Sequence, residues 1–264
     1  MPAFYAHYRF GISVFRNLNK ELKTIIRKYK GPFQMGLQGP DVFFFYKAYK
    51  KNRVSDYGYA IHYQSALPFF EHAIGVIKEK GRESKEYAYL LGFICHFILD
   101  SESHHYVEQM VKKIGVAHLE IEEEYEKRLL KMDGKNPFRY PYAKKVYTDR
   151  ITAQAMEPFY GEIADEETIQ KSLKWMKFVK KLFTAPCPVK QGMINQGMRF
   201  VGKYGEMKGL MNQRKENLKC KQTNRELLDI YLHAVPVAIY MIYDFDESVK
   251  NEKELNQRFN RNLE

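Results

Sequence analysis

The chain has 264 residues, 45% hydrophobic and 15% aromatic, with 20 Tyr and 18 Phe, which is enough apolar material for a large packed core and excludes a disordered protein. Its formal net charge of +11 favours phosphate-bearing partners, whether nucleic acid, anionic lipid or small phosphodiesters, without choosing among them. Three cysteines, Cys95, Cys187 and Cys220, lack the spacing of a zinc knuckle or a disulfide framework and read as reduced and structural.

The N-terminal stretch MPAFYAHYRFGISVFRN has no basic start, unbroken apolar run and small-residue cleavage site, so the expected location is the cytoplasm. From Ala3 to Tyr29 apolar residues recur near helical spacing, with His7 on or near the stripe. QMGLQGPD is an irregular turn that holds Asp41 beside FFFY, where a carboxylate needs a cation or several donors; it serves as a helix N-cap, a metal ligand or both. A helix from about Tyr59 to Gly81 carries His62 toward an apolar set and His72 on the wetter side, so His62 reads as a ligand and His72 as surface.

The segment from about Lys85 to Ser101 is apolar nearly all round and reads as a helix through the core. A helix from Gly115 or Val116 to Met132 follows, with EEEYEK as its solvated flank. Further amphipathic helices are expected at about 147–156, 165–183, 192–211 and 225–243, ahead of a charged, frayed tail NEKELNQRFNRNLE. In KSLKWMKFVKK, lysines alternate with apolar residues as on a solvated helix face, with a nucleic-acid patch as the alternative. YAYLLGFICHFIL carries a His, and LLDIYLHAVPVAIYMIY carries Asp229, His233 and Pro236, so both read as core helices and no transmembrane segment is expected. The whole reads as one all-α domain over 1–264, with a site in about 1–130 and a helical extension over about 145–250.

The chemistry concentrates in HFILDSESHHYVEQMVKKIGVAHLEIE. His96 with Asp100 and His118 with Glu122 each set an imidazole and a carboxylate one helical turn apart on one face, as a shared metal requires. His104 or His105 lies between the pairs, where the first helix is expected to end. Eight His and 32 acids predict about one His-x3-acid pair by chance, and the sequence has three, the third being His104/Glu108. Counting His7, Asp41 and His62, the candidates are too many for one four-coordinate zinc and suit two or three ions. A His-rich, Cys-poor shell with carboxylates is the composition of hydrolytic more than structural sites.

The motifs HYRFG, GLQGPD, GYAIH, GFICHFILDSESH and HLEIE, in this order over 1–130, resemble the bacterial zinc-dependent phospholipase C family and its relatives, the fungal single-strand zinc nucleases. The resemblance implies an all-α bundle with a trinuclear zinc site. By position, Asp41, His62, His96 and Asp100 correspond to the first zinc's shell, and His104, His118 and Glu122 to the second's. The third corresponds to His7, the bridging Asp100 and an amino terminus. The secreted relatives begin with a Trp exposed by signal cleavage. Here removal of Met1 would leave the amine of Pro2 five residues before His7, as in the nuclease branch. The gap after Asp100 is shorter than in those relatives, and the spacing to His118 selects His104 over His105.

The activity implied is zinc-dependent phosphodiester hydrolysis by metal-activated water, with Asp41 either orienting or deprotonating that water or acting as a ligand alone. Phospholipid is the leading substrate and a nucleotide or nucleic acid the alternative, with peripheral contact to anionic membrane or nucleic acid. A non-catalytic helical protein with structural metals is the reading of another class. Tyr5, Phe43, Phe44 and Tyr63 are the residues expected to line a substrate cleft or to pack in the core.

Overall fold

The computed structural model describes residues 4–264, and the proposed amine ligand Pro2 lies outside them. In chain order the helices are α1 (Phe4–Asn17), α2 (Lys20–Lys28), α3 (Lys30–Gly36), α4 (Arg53–Tyr63), α5 (Leu67–Lys80) and α6 (Lys85–Ile114). There follow α7 (His118–Met132), α8 (Arg150–Tyr160), α9 (Glu166–Phe183), α10 (Pro188–Phe200), α11 (Tyr204–Met207) and α12 (Thr223–Asn251). Short 3-10 turns join them, notably Gly39–Phe45 and Gln257–Asn260, and the described residues contain no strand.

The 30-residue α6 is the axis of the bundle. Ser84 caps it by accepting from the Tyr87 N–H at 3.1 Å, and Gly115 ends it in the left-handed region. Every residue from Glu86 to Asp100 is buried. Full burial of rings such as Phe93 and Phe97 contributes roughly 1.5–3 kcal/mol each relative to exposure. α3 lies against this axis backbone to backbone: a Cβ added at Gly36 would sit 2.1 Å from the Tyr89 carbonyl oxygen, and one at Gly92 2.2 Å from that of Phe33. Two glycines facing each other are what let the helices approach this closely. The turn after α3 is thereby set down on the polar end of α6.

Several expectations change. The single helix over 3–29 is two, because Asn19 turns out of α1 and accepts from the Leu22 N–H at 2.9 Å as the N-cap of α2. The stretch 59–81 is likewise α4 and α5, with a break at Gln64–Ala66 where Ala66 N–H bonds Arg261 O at 2.9 Å. α6 does not end near Ser101 but runs to Ile114, so His104 is inside it. The helix expected at 192–211 begins at Pro188 and stops at Phe200, followed by Gly202 at φ 70°.

EEEYEK is not a solvated flank. Glu123, Glu124, Glu126 and Lys127 are buried, and they are paired with one another or with hydrogen-bond donors of other segments. Glu123 accepts from Gln213 N–H at 2.7 Å, Glu124 from Asn217 N–H at 2.6 Å and Lys127 Nζ at 2.9 Å, and Glu126 from Tyr142 Oη at 2.7 Å. The acidic run therefore staples the 212–217 loop to α7. Lys180 of the basic run is also buried, its ammonium 5.2 Å from the centre of the Phe4 ring.

Nor is the tail frayed. Phe259 is fully buried against Phe70, ring centres 4.1 Å apart, and lies within 6.0 Å of Phe97 and Phe245. Arg258 and Arg261 both pair with Glu102, and Leu263 N–H bonds His62 O at 3.0 Å. An aromatic plug with flanking ion pairs outweighs the charge of the segment. Finally, Leu218–Asn251, which contains α12, is long and apolar enough by length and composition to cross a membrane, its most apolar 18 residues having a mean hydropathy of 1.3 with 33% of them buried. Asp229, His233 and Pro236 interrupt that stretch without making it polar. Its inner face, including Leu227, Tyr231, Ala234, Ala238 and Met241, packs into the core, where α12 meets α6, α1 and α7.

Candidate metal centre

α6 supplies three polar groups on one face: His96, Asp100 and His104, each one turn after the last. α7 opens with His118 and adds Glu122 a turn later, while α1 brings His7 and the end of α4 brings His62. Asp41 sits inside the Gly39–Phe45 turn and not at a helix N-cap. Gly39 has φ 50°, and a Cβ there would fall 2.3 Å from the His96 ring, so this turn closes on His96 only because residue 39 is glycine.

These side chains gather in two groups. Asp41, His62, His96 and Asp100 are all buried, and each offers an N or O atom within 4.8 Å of the others. His104, His118 and Glu122 do the same beside them, with His118 half-buried. Asp100 joins the groups: its Oδ2 is 3.2 Å from His96 Nε2, and its Oδ1 is 3.6 Å from His104 Nε2 and 3.1 Å from His7 Nε2. His62 Nε2 lies 3.0 Å from Asp41 Oδ1, and His118 Nε2 3.2 Å from Glu122 Oε1. His105 is outside the group, exposed and bonded to Gln109 at 2.7 Å, and His72 bonds Pro158 O at 2.8 Å on the surface.

A divalent cation fits these residues on their own chemistry. Buried polar atoms are almost always hydrogen-bonded. Here Nε2 of His96, His104 and His118, Oδ2 of Asp100 and Oε2 of Glu122 are buried without a hydrogen bond, and they are largely the atoms that converge. The nitrogens turned away are partly held: His62 Nδ1 donates to Gly58 O at 2.6 Å, His118 Nδ1 to Glu108 Oε1 at 2.7 Å, and His104 Nδ1 faces Glu264 Oε2 at 3.6 Å. Such partners orient a ligating imidazole and raise its basicity. Sequence reading missed all three. Glu108 stands four residues after His104, yet it serves His118, and nothing in the sequence links Gly58 or Glu264 to the site.

Proton affinities divide the groups. Burial pushes His96 down to about 4, so its ring is neutral at pH 7 with a lone pair to offer. Burial also works to lower His104 and His118, but the carboxylates of Asp100 and Glu122 for the first, and of Glu122 and Glu108 for the second, raise them to about 10 and about 9. Burial would raise Glu122, yet His118 and His104 hold it at about 2. The second group thus demands positive charge, from protons or from a metal.

His62 and His118 also line a cleft of about 640 Å³, walled by Phe44, Tyr59, Tyr63, Trp175 and Phe183, with Glu206 and Glu264 among its acids. Tyr5 and Phe43 are instead core: Tyr5 Oη bonds Asp133 at 2.5 Å and Phe43 packs edge-on to Tyr160. A larger cavity of about 930 Å³, lined by Tyr57, Phe69, His72 and Tyr160, holds none of the converging ligands. Size does not locate the chemistry here.

Comparison with known proteins agrees with this geometry. The family model of zinc dependent phospholipase C matches residues 6–185, which include every one of the seven clustered groups and His7. No curated protein and no solved structure matches the chain. An all-helical fold, two buried histidine and carboxylate groups sharing Asp100, and a family match over most of the length lead to one conclusion: the chain belongs to the zinc-dependent phospholipase C family.

Proposed function

We propose that the protein is a zinc-dependent phosphoric diester hydrolase that cleaves a phospholipid on the diacylglycerol side of its phosphate. The observation that carries this reading is that both ligand groups reach one cleft, His62 from the first and His118 from the second. Asp41, His62, His96 and Asp100 would hold one ion and His104, His118 and Glu122 a second, and His7, 3.1 Å from Asp100, would help to hold a third. Bound zinc supplies Lewis acidity, lowering the pKa of water and offsetting negative charge on a phosphoryl oxygen.

The chain's own residues then do the following. His62 and His118, their rings fixed by Gly58 and Glu108, set the places at the cleft wall where the two ligand groups open to a bound phosphodiester. Asp41, fully buried and 3.0 Å from His62, orients the attacking water or takes its proton. Phe44, Tyr59 and Tyr63 with Glu264 suit a cationic headgroup, since aromatic faces and a carboxylate both attract it; the Phe44 and Tyr59 rings are 4.4 Å apart. The matched family favours phospholipid over the nucleotide and nucleic-acid alternatives.

The test removes metal with a chelator, restores zinc, and measures hydrolysis of a choline aryl phosphodiester and of phosphatidylcholine. Turnover that depends on zinc for both is the expected result. Zinc-loaded protein that hydrolyses neither sinks the hydrolase reading and leaves the metals a structural role.

A further inference from the structure

The hydrolase reading does not use the exposed basic face of α9 or its continuation. From Thr168 to Gly205 the chain carries eight basic residues and no acid. Lys180 is buried, and Lys190 is spent on the carbonyls of Lys181 and Thr184, at 3.2 and 2.8 Å. Lys174, Lys177 and Lys181 are exposed and have no acidic partner among the described residues. Their positions along α9 set them on one side of the helix.

Between those lysines and the cleft lies an apolar strip. Phe178 is 54% and Leu182 42% exposed, one turn apart, and next to them around the helix come Trp175, Val179 and Phe183, which line the cleft. Trp175 joins the two surfaces: its ring is 5.8 Å from Phe178 on one side and 5.8 Å from Tyr49, itself a cleft residue, on the other. α10 repeats the pattern. Val189, Met193 and Phe200 fall on one stripe by helical spacing and are 72%, 71% and 92% exposed.

We infer that the exposed faces of α9 and α10 are a docking surface for an anionic lipid bilayer, seating the mouth of the cleft against it. Unneutralised lysines flanking exposed Phe, Leu, Val and Met are the composition of an interfacial helix. The aliphatic side chains favour the lipid over a nucleic acid, against which Leu182, Val189 and Met193 would bury nothing complementary. Charge brings the surface to the membrane, and the apolar strip enters the boundary between headgroups and acyl chains. The inference draws its purpose from the phospholipid reading, but vesicle binding is measured without turnover.

The experiment sediments the full chain with vesicles of phosphatidylcholine alone, or of phosphatidylcholine and phosphatidylglycerol in equal parts, at low and high salt. The expected result is binding that requires phosphatidylglycerol and weakens with salt. Lys177→Glu with Lys181→Glu lowers it about 25-fold or more, at roughly fivefold per lysine. Phe178→Ser with Phe200→Ser removes the binding that survives high salt. All these variants hydrolyse a soluble aryl phosphodiester as the native chain does. Equal binding to both vesicle types, or native-like binding by both variant pairs, overturns the inference. So does a charge-reversed pair that loses affinity for single-stranded DNA while keeping vesicle binding. Failure of native zinc-loaded protein to turn over both the soluble ester and phosphatidylcholine sinks the hydrolase reading instead and leaves the vesicle result standing.

Discussion

The two ligand groups are built from the same residue types and behave in opposite ways. The first, Asp41, His62, His96 and Asp100, is buried at every residue and meets the cleft only through His62, and burial lowers His96 to about 4. The second, His104, His118 and Glu122, opens on the cleft, and the carboxylates of Asp100 and Glu122, with smaller contributions from Glu264 and Glu108, hold protons on its histidines to about 10 and about 9. What separates them is the local balance of desolvation against neighbouring charge. A set whose His96 is already neutral and a set that trades protons for metal therefore lie side by side, joined by one carboxylate.

The strongest way to break that comparison is to remove the joint. Asp100→Ala takes an oxygen from both groups and from His7, and metal analysis is expected to show both main ions lost, with hydrolysis down by about 10³-fold or more. His118→Ala is the contrast, expected to lose the second group's ion and keep the first. Next is the tail. Phe259→Ala opens a cavity under the segment that carries Glu264 and is expected to cost about 3–5 kcal/mol in denaturant unfolding, weakening the second group before the first.

A smaller effect sharpens the comparison. Glu108→Gln leaves His118 in place but weakens the acceptor on its Nδ1, so zinc affinity at the second group is expected to fall by roughly 10–100-fold while the first is unchanged, read by chelator competition. Glu264→Gln, facing His104 across 3.6 Å, is expected at the low end of that range.

The finest distinction is in pH. His104 and His118 have folded values above the ordinary 6.5, so in metal-free protein their contribution to stability is complete below about 6.5 and is lost as pH rises through about 9 and 10. Zinc must displace those protons, so affinity at the second group rises across the same window, whereas His96 is already neutral and releases none at pH 7. Calorimetry in two buffers of different ionisation enthalpy is expected to show proton release on zinc binding that His118→Ala reduces.

The pairs His96/Asp100 and His118/Glu122 were legible in the sequence because a helix converts four-residue spacing into a shared face whatever surrounds it. The all-helical class was legible for the same reason, since apolar periodicity is a local property of the chain. Element ends were less so. Asn19 could continue a helix or cap the next, and α6 passes Ser101 because packing carries it to the left-handed Gly115. The acidic run of α7 reads as solvated by composition alone, and only the donors of a loop some 90 residues later make it a buried staple.

The chain by itself thus determined helices, the order of their ligands and the need of buried imidazoles and carboxylates for a cation. Tertiary structure alone decided that Glu108 turns to His118 and not to its helix neighbour His104, that Phe259 brings Glu264 to the site, and that Trp175, Val179 and Phe183 of α9 wall the cleft. Spacing along one helix is fixed by backbone geometry, whereas contacts between distant segments, and the proton affinities they impose, exist only once the core has closed around them.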